Sequence, residues 1–143
     1  MDISYEELIE EAKKARKRAY TPYSGFQVGA ALVTKAGKIY HGCNIENAAY
    51  GPTNCAERTA FFKAVYEGER SFSRIAIVGG KSEKDCDYPC APCGVCRQVM
   101  MEFCSPGEFE IVLADQEKGY RVYTLEEILP LGFGPGNLEE SNV

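Results

Sequence analysis

The 143-residue sequence predicts an α/β domain, a mixed five-stranded sheet flanked by helices. Three observations carry that expectation. Segments of helical periodicity alternate with short apolar runs in the order helix, two strands, helix, strand, helix, two strands, helix. The links "KAG" (35–37) and "DQEKG" (115–119) are too short for a parallel crossover, so the strands they join, including the last two, are antiparallel. "RIAIVGG" (74–80) is the nearly continuous apolar run of a central strand buried on both faces.

Ser4 and Glu7 form a capping box, and Tyr5, Leu8, Ile9, Ala12 and Ala15 then recur at helical spacing, so helix one runs to about Ala19. "TPYSG" breaks it, and "FQVGAALVT" and "GKIYHGC" form a hairpin. After the loop "NIENAAYGPT", an apolar face of Ala60, Phe61, Ala64 and Val65 marks helix two from about Asn54 to Glu67, with Gly68 as its stop. Helix three covers about Cys93 to Phe103, and "FEIVLA" and "YRVYT" are the last two strands. Thr124 and Glu127 cap the short helix "LEEIL", which Pro130 ends before a glycine-rich tail.

The length suits one domain spanning residues 1–143, and a chain of this size buries about two-thirds of its unfolded surface without disulfide staples. The N-terminus "MDISYEELIEEAKKARKR" lacks the apolar core of a signal peptide, and no apolar run is of membrane length. A cytoplasmic protein with no membrane partner is expected. In that reducing compartment seven cysteines, some at C-x-x-C spacing, indicate metal or redox chemistry rather than a disulfide framework. A formal charge of −5 argues against a stable nucleic-acid partner and for a small substrate. The basic run Lys13 to Arg18 closes helix one, where cations suit the dipole.

Two segments carry chemistry: "PTNCAERTAFFKAV" (52–65) and "YPCAPCGVCRQVM" (88–100). Zinc held by three protein ligands with an open position is catalytic, whereas four cysteines close a structural site. Cys93 and Cys96 lie one helical turn apart and share a face. Cys90 extends the spacing to C-x-x-C-x-x-C and is either a fourth ligand or a spare thiol. The next cysteine of an iron–sulfur run is missing, since position 100 is Met100. Cys55 opens helix two, where the dipole favours a thiolate. Glu57 points to another side of that helix; it either reaches over the helix end as a proton carrier or is an acidic first-turn residue. His41, the only histidine, is read as structural.

"GCNIENAAYGPTNCAERTAFFKAV" and "PCGVCRQV" resemble the two motif blocks of the cytidine deaminases, and "YSGFQVGAAL" and "ILPLGFGP" extend the resemblance over most of the chain. It implies a cytidine deaminase-like α-β-α sandwich. It also implies Zn2+ on Cys55, Cys93 and Cys96, Glu57 as proton shuttle, and hydrolytic deamination of cytidine and deoxycytidine with release of ammonia, as in pyrimidine salvage. By the same resemblance Asn44 and Glu46 bind the sugar hydroxyls, Phe26 packs on the pyrimidine and the Ala56 backbone contacts the base. Arg58 draws electron density from the ligand sulfurs, and Phe133 comes from a neighbouring subunit of a homotetramer whose interface includes Tyr50.

Read without the resemblance, Asn44 and Glu46 are turn residues, Phe26 is core at a strand start, and Arg58 is a surface cation that opposes the helix dipole. Cys86 and Cys90 depart from the family run and are taken as loop thiols; Cys104 reads as a small buried hydrophobe and Cys43 as a strand-end thiol. Two rival functions share part of the pattern. A deaminase of nucleoside antibiotics such as blasticidin S has C-A-E and P-C-G-x-C, although "NIENA" and "CAERTA" favour cytidine. A structural zinc module would use Cys90 as fourth ligand and leave Glu57 idle.

Overall fold

Helix α1 (Tyr5–Arg16) starts at a full capping box. The Ser4 hydroxyl accepts from the Glu7 amide at 3.1 Å while the Glu7 carboxylate accepts from the Ser4 amide at 3.4 Å. The computed structural model describes residues 2–139, so Met1 and residues 140–143 of the expected domain lie outside the described residues. After α1 come β1 (Phe26–Thr34), β2 (Ile39–Cys43), α2 (Ala56–Tyr66), β3 (Phe72–Lys81), α3 (Gly94–Phe103), β4 (Glu110–Asp115), β5 (Gly119–Thr124) and α4 (Leu125–Ile128). A 3-10 turn over Pro135–Leu138, not expected from the sequence, follows.

The five strands form one sheet in the order β2-β1-β3-β4-β5. Only β3 and β4 run parallel; both hairpins and the β1–β3 pair are antiparallel. The central place of β3 explains its unbroken apolar sequence, because helices cover it on both sides. On one face Leu8, Ile9 and Ala12 of α1 pack on Ala31, Val33, Ala76, Val78, Val112 and Ala114. On the other, Ala56, Ala60, Phe61 and Ala64 of α2, Met100 of α3 and Leu125 of α4 pack on Leu32, Ile75, Ile77, Ile111 and Leu113. Alternate strand residues serve alternate faces, as the two-residue strand repeat requires. The result is the expected α-β-α sandwich.

Three local expectations are corrected. Helix α1 ends at Arg16 rather than Ala19, because the amides of Arg18 and Ala19 turn back to the carbonyls of Ala15 and Arg16 and tighten the final turn. Helix α2 begins at Ala56 rather than Asn54, since Asn54 is drawn into a backbone bridge with Ile45. Cys86 is buried with the residues beneath α1 and is no loose loop thiol. Cys104 caps the end of α3 and packs against the other cluster. Among the described residues no helix is long and apolar enough to cross a membrane.

Candidate metal centre and active site

Cys55 and Cys93 occupy the N-cap positions of α2 and α3, with extended backbone at φ −75°, ψ 155° and φ −68°, ψ 167°. That position favours Ser, Thr, Asp or Asn, whose side chains bond the first helical amides and contribute about 1 kcal/mol. Neither sulfur makes such a bond. Both helices forgo a cap, and both thiols are turned to another task. The two N-termini converge: Cys55 Sγ lies 3.8 Å from Cys93 Sγ, which lies 3.5 Å from Cys96 Sγ one turn into α3. All three sulfurs fall within 4.8 Å of one another. With Zn–S bonds of about 2.3 Å the edge of a tetrahedral site is about 3.8 Å, so the spacing and the soft donor set fit zinc. All seven cysteines are free thiols.

The surroundings favour ionised sulfur. Contact with the Cys96 thiol, and then a hydrogen bond from Arg58 Nη2 at 3.1 Å, hold Cys55 down at about 5. The same Cys55–Cys96 contact, with burial, pushes Cys96 up, so the first negative charge settles beside Arg58. Arg58 in turn is held more firmly protonated, chiefly by its bond to Cys55. Its Nε is buried and unpartnered among the described residues. It is half-buried against the sulfurs, and the surface-cation reading does not describe it.

Glu57 is 4 % exposed and is not among the three clustered donors. Burial pushes its carboxyl up to about 7, with the charge of Cys55 acting the same way. A buried carboxyl poised near neutrality beside three clustered thiols is suited to taking up and returning a proton.

Neighbouring groups brace the cluster. Asn54 Nδ2 donates to Thr59 Oγ1 at 3.1 Å, and that hydroxyl donates to the Cys55 carbonyl at 3.2 Å. Arg97 Nε donates to the Pro92 carbonyl at 2.8 Å and its Nη1 to the Ile128 carbonyl, tying the Cys93 turn to α4. Gly42 seats α2 on β2: a Cβ there would strike the Ala56 carbonyl and lie 2.6 Å from the Ala60 amide. The sequence reading passed over Asn54, Thr59 and Arg97, although "TNCAERT" and "CRQ" place them within five residues of a clustered cysteine.

Phe26 stands at the start of β1, 38 % exposed, so the core reading is corrected. Its ring edge and the Cys90 thiol share the space over Gly79, where a Cβ would lie 3.1 Å from the ring and 2.6 Å from the sulfur. Cys90 is outside the donor cluster; burial pushes its thiol up to about 11, and the charges of Glu57 and Cys55 add to that. The Asn44 amide bonds the β1 backbone, accepting from the Val28 amide and donating to the Phe26 carbonyl, each at 2.9 Å. Glu46 accepts from the amides of Tyr23 and Ser24 at 3.0 and 3.1 Å and from the Ser24 hydroxyl, whose bond holds its carboxyl below the ordinary range. Glu46 lines a cleft of about 350 Å³ with Tyr23, Ser24, Tyr50 and Thr53. Ala56 is fully buried, and Phe133 is 55 % exposed with its carbonyl held by Gln98 Nε2 at 2.7 Å. His41 on β2 lies 2.8 Å from Glu11 of α1, away from the donor cluster.

The family described as the cytidine and deoxycytidylate deaminase zinc-binding region matches residues 3–109. A cytidine deaminase of Sporosarcina psychrophila is 51% identical over 138 residues, covering 96% of each chain. One from Halalkalibacterium halodurans is 51% identical over 126 residues, covering 88% of this chain and 91% of its own. The crystal structure of a cytidine deaminase from Burkholderia pseudomallei superposes with a TM-score of 0.82 at 50% identity, over 92% of this chain and all of that one. A zinc-binding family signature covering the segment that supplies all three sulfurs, with relatives matched along almost their whole length, establishes that this chain belongs to the cytidine deaminase family.

Proposed function

We propose that this chain catalyses the hydrolytic deamination of cytidine and deoxycytidine to uridine and deoxyuridine, releasing ammonia, with Cys55, Cys93 and Cys96 as ligands of one zinc ion. The observation that carries the reading is the buried Glu57 carboxyl beside three convergent thiols. A structural zinc module would have no use for it. When bound, the zinc supplies Lewis-acid activation of water for attack at the amino-bearing carbon. Glu57 takes a proton from the attacking water, passes it to the adjacent ring nitrogen, and moves the second proton to the departing amine. Water and cytidine thus become uridine and ammonia, and Glu57 ends as it began.

In this reading Phe26 packs on the pyrimidine, the Ala56 backbone contacts the base, and Asn44 and Glu46 meet the sugar hydroxyls. The bonds they already make fix both side chains, while each amide or carboxylate keeps capacity for another partner. One domain over residues 1–143 carries the activity. The seven free cysteines suit the reducing cytoplasm.

We also infer a homotetramer in which Phe133 completes a neighbour's site. Tyr50 and Leu131 support it: both are strongly exposed and both hold left-handed backbone, at φ 60° and 56°. Apolar side chains kept in water in a strained conformation suggest a second surface against them.

The reading is tested by purifying the protein, measuring zinc per chain, and following cytidine and deoxycytidine conversion by ultraviolet absorbance, with blasticidin S as comparison substrate. Uridine and ammonia in equal amounts are expected. Zinc binding with no turnover of either nucleoside would overturn the assignment.

A further inference from the structure

Helix α1 packs on the sheet face opposite α2 and the donor cluster, yet its last side chain crosses to the edge from which Phe26 emerges. Arg16 Nε donates to the Gln27 carbonyl at 3.2 Å. Its Nη2 donates to the carbonyls of Gly80 at 3.1 Å, Lys81 at 2.7 Å and Lys84 at 3.0 Å. Gln27 pairs with Gly80, and Phe26 with Lys81, as the final two rungs of the β1–β3 ladder. One guanidinium therefore holds both strand ends and the turn beyond them. The planar guanidinium reaches these carbonyls from two fixed nitrogens, Nε and Nη2, a spread that an ammonium's single nitrogen cannot match.

Other bonds close the same frame. Lys81 Nζ donates to the Ser24 carbonyl at 3.1 Å, and the Ser82 amide to the Gly25 carbonyl at 2.7 Å. Beyond Lys84 the chain is tied to α1 again by the Lys13–Asp87 ion pair at 3.3 Å, and then delivers Cys90 against Phe26 over Gly79.

We propose that Arg16 is a positioning residue for the nucleoside pocket, holding the Phe26 wall through the carbonyls of Gln27, Gly80, Lys81 and Lys84. This rests on the reading that Phe26 packs on the pyrimidine. The thiols and Glu57 stand on α2 and α3, so release of the frame acts on binding and leaves the chemistry alone. Ground state and transition state lose the same contact, which raises KM at constant kcat.

The zinc-loaded parent, Arg16→Met, Arg16→Lys and Phe26→Ala proteins are compared for kcat, KM for cytidine, uridine affinity by calorimetry, and zinc content. Arg16→Met is expected to raise KM and the uridine Kd together by about tenfold, with kcat within about twofold and zinc at the parent level. Arg16→Lys falls between the two. If Phe26→Ala raises KM and the uridine Kd while Arg16→Met leaves them at parent values, the role of Arg16 is overturned and that of Phe26 stands. If Phe26→Ala leaves both unchanged, the Phe26 reading is overturned and the route from Arg16 with it. A fall in kcat and zinc content alongside the KM change would make Arg16 a general structural residue and overturn the proposal. Should Arg16→Met fail to fold, Arg16→Lys decides: raised KM at parent kcat supports the role, and parent KM overturns it.

Discussion

Arg58 Nη2 donates to Cys55 Sγ over 3.1 Å from within the first turn of α2, where a cation opposes the helix dipole. The unfavourable placement is explained by charge. On the proposed ligand set three thiolates around a divalent ion would sum to −1, and the guanidinium, with two helix N-termini, would offset the excess.

Replacing Arg58 with Ala is therefore expected to lower kcat by about tenfold or more while zinc content changes little. The sign of the pH effect follows from the same charge. With the cation gone the site is more negative, its acidic groups release protons at higher pH, and the acidic limb of the pH–rate profile moves upward. A parent-like rate and profile would leave the helix ends as the sole compensation.

Glu57→Gln keeps the shape and a hydrogen-bonding amide but cannot carry a proton. We expect zinc and fold to persist and kcat to fall by about a hundredfold or more, with uridine affinity less affected. Turnover near that of the parent would exclude the proton-carrier role. Because the native carboxyl is buried and pushed up to about 7, its replacement by a neutral amide removes a desolvated charge, so the melting temperature should not fall.

Cys90 and Cys93 stand three residues apart but differ in surroundings: one thiol is pressed against Phe26 and Gly79, and the other, at the N-terminus of α3, leaves the helix uncapped and lies against two sulfurs. Cys90→Ser should retain zinc at the parent level, and Cys93→Ser should lose it, both read by metal analysis of the purified proteins. Equal loss from the two variants would restore Cys90 as a ligand.

What was legible in the sequence follows the range of the forces involved. Capping boxes at Ser4 and Thr124, the strand Phe26–Thr34 and the stop at Gly68 depend on neighbours within a few residues, and the structure has them as expected. Cys93 and Cys96 meet because one helical turn brings them together. The start of α2 shifted because Ile45 draws the backbone of Asn54 into a bridge, and α1 stopped short because the amides of Arg18 and Ala19 turn back to the carbonyls of Ala15 and Arg16, neither of which the apolar periodicity reports. Phe26 looked like core in a strand-start pattern, but nothing local says that its side chain is left partly exposed at the strand's end. Cys86 is hidden by α1, some seventy residues earlier in the chain, which no spacing rule reports.

The proposed assembly can be tested at Leu131 apart from folding. Its side chain is fully exposed and its backbone sits at φ 56°, a conformation that costs a branched residue about 1–3 kcal/mol and suits glycine. Within one chain Leu131→Gly removes no buried surface and relieves that cost, so the isolated fold should be as stable as the parent or more so. Within a tetramer it removes an interface side chain near Phe133, so assembly should weaken and activity should become dependent on protein concentration. Light scattering of the parent should report four chains, and the variant should dissociate on dilution with loss of turnover. A parent that is active as a monomer, or a variant whose assembly and activity are unchanged on dilution, would remove both Leu131 and Phe133 from the shared site.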